Sequence, residues 1–210
     1  MLPQPPKTIK ATDVSEKAFQ RALFNVNETR KGDKTIIKWL DYELPVVING
    51  NPRKDSLDLI GIYMNGRQKG TFIICEVKFS YDNKHSDCPS KAVEELQRYS
   101  KSIGDGSELE LKHYHHGIPE FDWRKVPLKY EKWILANSAY WAYWLGHQKT
   151  NQETHEKEER WSFQEGIYYG YVDIPGNTFQ KQDKDSLTYI PEFPEKTAFI
   201  RTIWPNRDSK

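Results

Sequence analysis

Apolar residues recur at helical spacing near the start of the chain: Val14, Ala18 and Ala22, interleaved with Phe19, Leu23 and Val26. This pattern predicts an amphipathic helix over about 14–26. Asp13, with Glu16 three residues later, reads as a capping box that starts it. Residues 27–35 are polar and charged. A strand is expected at about 43–48, ended by the turn residues Asn49-Gly50-Asn51-Pro52. Residues 57–63 and 71–79 are the clearest strands, and the run from Asn65 to Gly70 between them has the composition of a hairpin loop. In the second strand Phe72 and Ile74 point one way, while Ile73, Cys75 and Val77 point the other. A strand apolar on both faces is usually central, with helices covering the sheet.

A polar loop over 80–89 leads to a second predicted helix at about 90–103. Ala92, Leu96, Tyr99 and Ile103 form its buried stripe and Gly104 stops it. From 128 to 145 the chain is strand-like and aromatic, through Trp133-Ile134-Leu135-Ala136 and then Tyr140-Trp141-Ala142-Tyr143-Trp144. Residues 146–160 are nearly devoid of apolar groups and read as a mobile excursion. Further strands are expected at about 163–173, 187–190 and 197–204. Residues 1–12 are Pro-rich and read as an extended tail, with 13–210 as one domain. The fold class expected is α/β.

Composition narrows the picture further. A chain of 210 residues can bury a full core in one domain. Seven Trp and twelve Tyr mean that much of that core is aromatic. A net charge of +1 excludes a strongly basic general binder, but leaves room for a nucleic-acid enzyme with a local cleft potential. The two cysteines, Cys75 and Cys88, have no CxxC spacing, which argues against a disulfide framework or a cysteine zinc site. No secretory h-region or membrane-length apolar run is visible, so a reducing, cytoplasmic setting and no membrane partner are expected.

The chemistry centres on Glu76-Val77-Lys78, at the end of the apolar central strand. Glu76 and Lys78 are two residues apart and leave the same face, where buried charge is costly without a reason. A strand-end ion pair would suffice for these two alone, but Asp58 changes the weighing. If the hairpin loop spans Asn65 to Lys69, Asp58 falls directly across from Glu76, with Cβ atoms about 4.5–5.5 Å apart. Facing carboxylates repel, and a divalent cation between them resolves the repulsion and supplies a Lewis acid. A tight Asn65-Gly66 turn would instead set Asp58 against Ile73, so the reading depends on register.

Asp58, seventeen intervening residues and then Glu76-x-Lys78 resemble the signature of the PD-(D/E)xK nuclease superfamily. The segments 57–61 and 73–78 both look like that family's, and the likeness covers about 13–103. Leu57 stands where the family often has Pro, and Asp55 is a neighbouring acid that a shifted register would bring in. The resemblance implies a restriction-endonuclease-like core, with a central mixed β-sheet flanked by helices and additional C-terminal strands. It implies Mg²⁺, with Mn²⁺ as a substitute, held by Asp58, Glu76 and the carbonyl of Val77, and Lys78 orienting the attacking water. Glu16 on the first helix or Glu43 on the first strand is the accessory acid. Gln97 and Tyr99 on the second helix are similar to a Gln and Tyr that some exonuclease-like members carry. Arg53, Lys54, Lys69, Lys84, Lys91 and Arg98 flank the site as phosphate contacts. The activity implied is phosphodiester hydrolysis of nucleic acid, most often DNA, by an enzyme that is often a homodimer. The alternative is a nuclease-like fold serving only as a nucleic-acid- or protein-binding module. A further reading is an interaction protein in which the Glu76–Lys78 pair is incidental. His113-Tyr114-His115-His116 lacks a completing carboxylate or Cys nearby, and the Tyr140–Trp144 run reads more simply as core than as a base-stacking platform.

Overall fold

The structure is a computed structural model; it describes residues 15–26, 28–48, 51–81, 84–103, 130–146, 148–150, 157–159, 161–172 and 197–204. The first helix, α1 (Glu16–Asn25), begins where Ser15 accepts a hydrogen bond from the Ala18 backbone N–H. Ser15 is thus the cap, rather than Asp13, which lies outside the described residues. Next come β1 (Glu28–Lys31), β2 (Thr35–Ile48), β3 (Asn51–Tyr63) and β4 (Phe72–Lys78). A two-stranded ribbon, β5 (Ser80–Tyr81) and β6 (Lys84–His85), precedes α2 (Pro89–Ile103). The chain continues with β7 (Tyr130–Ala136), α3 (Ser138–Gly146), the paired β8 (Gln148–Thr150) and β9 (Lys157–Glu159), β10 (Ile167–Tyr171) and β11 (Thr197–Trp204).

The main sheet is not the open, helix-flanked layer expected from the sequence. Its order is β1-β11-β10-β7-β4-β3-β2, and β1 also pairs with β2, so the sheet closes into a seven-stranded barrel. The reason lies in 28–31, which falls in the stretch read as polar and charged, and in 35–42, which extends the expected strand at 43–48 toward the N-terminus. Antiparallel to β2 and parallel to β11, β1 fills the gap that would otherwise leave two sheet edges unpaired. Its residues alternate, with Thr29 buried and accepting from the Trp39 indole N–H at 2.9 Å.

Two apolar clusters lie on the two faces of the barrel wall. One contains Phe19, Leu23, Trp39, Leu59, Tyr63, Ile73, Cys75, Val77, Trp133 and Tyr168. This is the lumen: Lys31 of β1 lies over the rings of Tyr63, Trp133 and Tyr168, from β3, β7 and β10, none of which adjoins β1 in the sheet. Such contacts run only through the interior. The buried face of α1 joins this cluster and stoppers one end, with Phe19 5.2 Å from Phe79 between ring centroids. The second cluster is the outer face, where Ile60, Ile62, Phe72, Ile74 and Ile134 pack against Ala92, Leu96, Tyr99 and Ile103 of α2 and Tyr140 and Trp141 of α3. The predicted α2 stripe is therefore the observed one.

The aromatic run Tyr140–Trp144 is helical, not a strand. Asn137 caps it by accepting from the Tyr140 N–H at 3.3 Å, and the same side chain bonds both the N–H and C=O of Ser80. Apolar groups surround this helix, so no periodicity marked it. Part of the expected mobile excursion is ordered as the β8–β9 pair. The tail at 1–12, the strand at 187–190 and His113–His116 lie outside the described residues. Among the described residues no helix is long and apolar enough to cross a membrane.

Candidate active site

β4 is buried along its whole length, and its alternation divides it cleanly. Ile73, Cys75 and Val77 enter the lumen; Phe72 and Ile74 meet α2 on the outside. Glu76 and Lys78 continue that outer row beyond the apolar part. The β3–β4 register runs from Ile62 opposite Phe72 to Leu59 opposite Cys75, which is the register that sets Asp58 across from Glu76. The hairpin loop is accordingly the longer one, and Tyr63 N–H still bonds the Thr71 carbonyl at 3.1 Å.

The ladder stops just there. Tyr63 with Thr71 and, by alternation, Leu59 with Cys75 are hydrogen-bonded pairs, so the next such pair would be Leu57 with Val77. Instead β3 stays with β2, where Leu57 lies opposite Leu44. The freed Val77 N–H donates to Asp58 Oδ2 at 2.8 Å, and the Asp58 carbonyl accepts from the buried Gln20 side chain of α1. In an extended strand a residue's N–H and C=O face the same neighbour. The Val77 carbonyl therefore points into the same gap as its N–H, beside Asp58.

Four carboxyl groups gather around one ammonium. Lys78 Nζ lies 3.4 Å from Glu76 Oε2, 3.2 Å from Glu95 Oε2 on α2 and 4.0 Å from Glu16 Oε1 on α1. The Lys78 and Glu76 side chains are 5% and 4% exposed, and Asp58 is partly buried beside them. Burial pushes the Asp58 carboxyl up to about 6, against the pull of Lys78 and the Val77 N–H. Burial, and then the facing Asp58, drive Glu76 well above the usual carboxylate range. Lys78 goes the other way: the surrounding acids, Glu76 foremost, outweigh its desolvation and hold it charged well past its ordinary value. One Glu76 oxygen, Oε1, is buried without a hydrogen-bond partner. An ionised oxygen in that state is expensive unless a cation or proton meets it.

Among the described residues no three His, Cys, Asp or Glu side chains converge as a ligand set. Asp58, Glu76 and the Val77 carbonyl are the oxygen donors beside the interrupted ladder; Mg²⁺ takes one or two carboxylates and keeps several waters.

The other sequence candidates divide. Glu16 reaches Lys78, whereas Glu43, at a left-handed φ of 49°, pairs with Lys17 at 3.0 Å. Tyr99 is buried, and burial with the nearby charge of Glu76 pushes its hydroxyl up to about 12. It approaches the site from the core rather than from solvent. Gln97 and Arg98 are exposed on α2, and Arg98 lies over the Tyr99 ring. Lys91 is exposed and pairs with Asp87 at 2.6 Å. Lys69 belongs to the β3–β4 loop at the opposite end of the barrel. The side chains of Arg53, Lys54, Asp55 and Lys84 lie outside the described residues. Sequence reading passed over Glu95 and Gln20. Each had a signal: a polar residue inside the apolar stripe of its helix, Glu95 between Ala92 and Tyr99, and Gln20 beside Phe19 and Leu23. Compared with protein-family models, curated proteins and solved structures, the chain matches none.

Proposed function

We propose that Asp58, Glu76 and Lys78 form a Mg²⁺-dependent phosphodiesterase site acting on nucleic acid, with DNA as the substrate. The observation that carries this reading is the buried, partnerless Glu76 Oε1, facing Asp58 and beside the Lys78 ammonium. The likeness to PD-(D/E)xK nucleases then concerns the motif over 57–78; the closed barrel is a different setting from that family's open sheet. Two free thiols, Cys75 and Cys88, suit the reducing cytoplasmic setting expected for such an enzyme.

Asp58, Glu76 and the Val77 carbonyl would hold the cation, with Mn²⁺ able to replace Mg²⁺. Once bound it supplies Lewis acidity, an activated water and charge neutralisation at the phosphate. Lys78 stays protonated through neutral pH, so it acts as a hydrogen-bond donor and not as a general base. Its ammonium orients the attacking water and stabilises negative charge developing on the phosphate oxygens. Glu95 and Glu16 hold that ammonium from two helices, fixing its direction. Gln20 fixes the Asp58 backbone, and Val77 N–H fixes one Asp58 oxygen, leaving the other for the cation.

The test is incubation of the full chain with single- and double-stranded DNA and with RNA, in Mg²⁺, Mn²⁺ or EDTA. Cleavage of DNA is expected only with a divalent cation. Lys78→Ala and Glu76→Gln should abolish it with the fold intact by circular dichroism. Metal-independent cleavage, or wild-type rates in either variant, would overturn the assignment, and cleavage of RNA alone would replace the substrate.

A further inference from the structure

A stack of two rings stands beside the proposed phosphodiesterase centre, on the outer side of the barrel wall. Past the end of β4, Phe79 enters the lumen cluster, so Ser80 continues the outer row of Glu76 and Lys78. Two residues separate Ser80 from Lys78, a step of about 7 Å at the rise of a strand. The β5–β6 register sets His85 opposite Ser80, and the two side chains share a hydrogen bond at 2.8 Å between Nδ1 and Oγ. The His85 ring lies flat on Tyr143 of α3, with centroids 3.6 Å apart and planes at 12°.

α3 starts at the same end of the wall. Lys78 lies opposite Ala136 in the β4–β7 pair, and α3 begins two residues later at Ser138. Its Tyr140 hydroxyl donates to the Asp87 carbonyl at 2.8 Å, just before α2, the helix whose Glu95 holds Lys78. Burial raises that hydroxyl well above its ordinary range, and the charges of Glu16 and Glu95, two of the acids around Lys78, add to it. Tyr140 and Trp141 are core, whereas Tyr143 is only half-buried, its ring edge-on to Trp144 at 5.0 Å. His85 is exposed with one face covered by Tyr143, so its other face opens to solvent. The stack is not needed to fasten the ribbon, because Asn137 already bonds both the N–H and C=O of Ser80.

We infer that the open face of His85 receives an unpaired nucleobase close to the phosphate held at Lys78, so that the substrate strand is single-stranded. The inference rests on the phosphodiesterase reading and names the form of substrate that site takes. Every base offers a flat face, and the bases of a single strand stack on aromatic side chains with little regard to sequence. In a duplex both faces of a base are already covered, and the base must be unstacked and unpaired before it reaches a protein ring. That cost cancels what one ring returns, so a single strand gains from the stack and an intact duplex does not. A strand crossing Lys78 meets the stack within its next few nucleotides, since the Ser80 that anchors His85 is one outward position further along the wall.

Fluorescence anisotropy of the full chain with a labelled oligothymidylate, an abasic strand and a duplex, all of one length and in EDTA to prevent metal-dependent cleavage, tests this inference. The oligothymidylate should bind at least about fivefold more tightly than the abasic strand. His85→Leu keeps bulk against Tyr143 but removes the flat ring; it should weaken oligothymidylate binding by about fivefold or more and leave the abasic strand and the duplex within about twofold. His85→Phe should restore the affinity, which a role for the imidazole nitrogens would not allow. The inference is overturned if the oligothymidylate does not bind saturably, if His85→Leu binds it as wild type does, if the loss is equal on the abasic strand, or if His85→Phe does not restore it. Cleavage in Mg²⁺ separates the two readings. Ring-dependent affinity with no cleavage removes the phosphodiesterase centre and leaves a single-strand binding site. Equal cleavage of single and double strands, by wild type and His85→Leu alike, removes this inference alone.

Discussion

Replacing Asp58 with Asn should make the metal-free protein more stable while removing the proposed metal site. The Asp58 carboxyl is pushed from an ordinary 3.8 up to about 6, chiefly by burial, so keeping it ionised at neutral pH opposes folding by about 3 kcal/mol. Asparagine keeps an oxygen for the Val77 N–H, but the neutral bond is weaker than the charge-assisted one by about 1 kcal/mol. The expected net gain is about 1–3 kcal/mol, or about 2–10 °C in Tm for a chain of this size. The pH dependence has a definite sign. A carboxyl raised in the folded state binds its proton more tightly there than in the unfolded chain. Wild-type stability therefore falls as pH rises from about 4 to about 6, and the Asn variant lacks this component. Urea unfolding in EDTA should show the two proteins alike at about pH 4 and the variant ahead at about pH 7.5. Adding Mg²⁺ should stabilise the wild type alone, because only a competent site gains from ligand binding. A variant less stable than wild type by more than about 1 kcal/mol at neutral pH would show that Asp58 is retained for the fold, and would refute the reasoning.

Three further outcomes follow from the same geometry. Mg²⁺ binding should release protons and tighten as pH rises through about 6, since Asp58 and the likewise raised Glu76 must ionise to bind it; calorimetry in buffers of contrasting ionisation enthalpy checks this, and a pH-independent affinity would contradict it. Gly61→Ala would set a Cβ 2.8 Å from Trp39 Cε3 and 2.9 Å from Cζ3, inside the lumen. That overpacking should lower stability by about 1–3 kcal/mol, and an unchanged Tm would show the ring has room to move. Asn137→Ala removes the bonds that tie α3 to the Ser80 backbone and should lose about 2 kcal/mol or more by urea unfolding; a loss below about 0.5 kcal/mol would mean water replaces them.

How much the sequence showed depended on whether neighbours or distant strands decided the matter. β4 and the α2 stripe were legible because two-sided burial and helical spacing are local signals, whereas the β3–β4 register stayed open between two loop lengths until the structure set Leu59 opposite Cys75. Barrel closure was not legible. It rests on β1, a Glu-Thr-Arg-Lys segment, pairing with β11 at the far end of the chain, and no local pattern announces a partner almost 170 residues away. The Tyr140–Trp144 helix was misread because uniform apolarity has no period. At the site, Asp58, Glu76 and Lys78 stood out as charges within apolar strands. Glu95 and Gln20 were hidden by the ease with which one polar residue on a helix is assigned to solvent.

The interruption of the β3–β4 ladder beside Asp58 is also the step that connects fold to chemistry. Ending a ladder in a buried sheet normally leaves backbone groups unsatisfied. Here Asp58 serves the Val77 N–H, and Gln20 serves the Asp58 carbonyl. Among the described residues the buried side-chain oxygen left without a partner is Glu76 Oε1. A fold organised only for stability would place apolar residues at both 76 and 78, since replacing a whole buried ion pair by apolar groups is often neutral or stabilising. The polar repairs around the gap thus converge on one unsatisfied acceptor, inside a ring of carboxyls with one compensating cation. A Glu76→Leu variant separates the two explanations by urea unfolding in EDTA. If the acid is held for a cation, the variant matches or exceeds wild-type stability and Mg²⁺ no longer protects it. If the Glu76–Lys78 pair holds the barrel wall together, the variant loses about 3–5 kcal/mol, the expected penalty for breaking a buried ion pair.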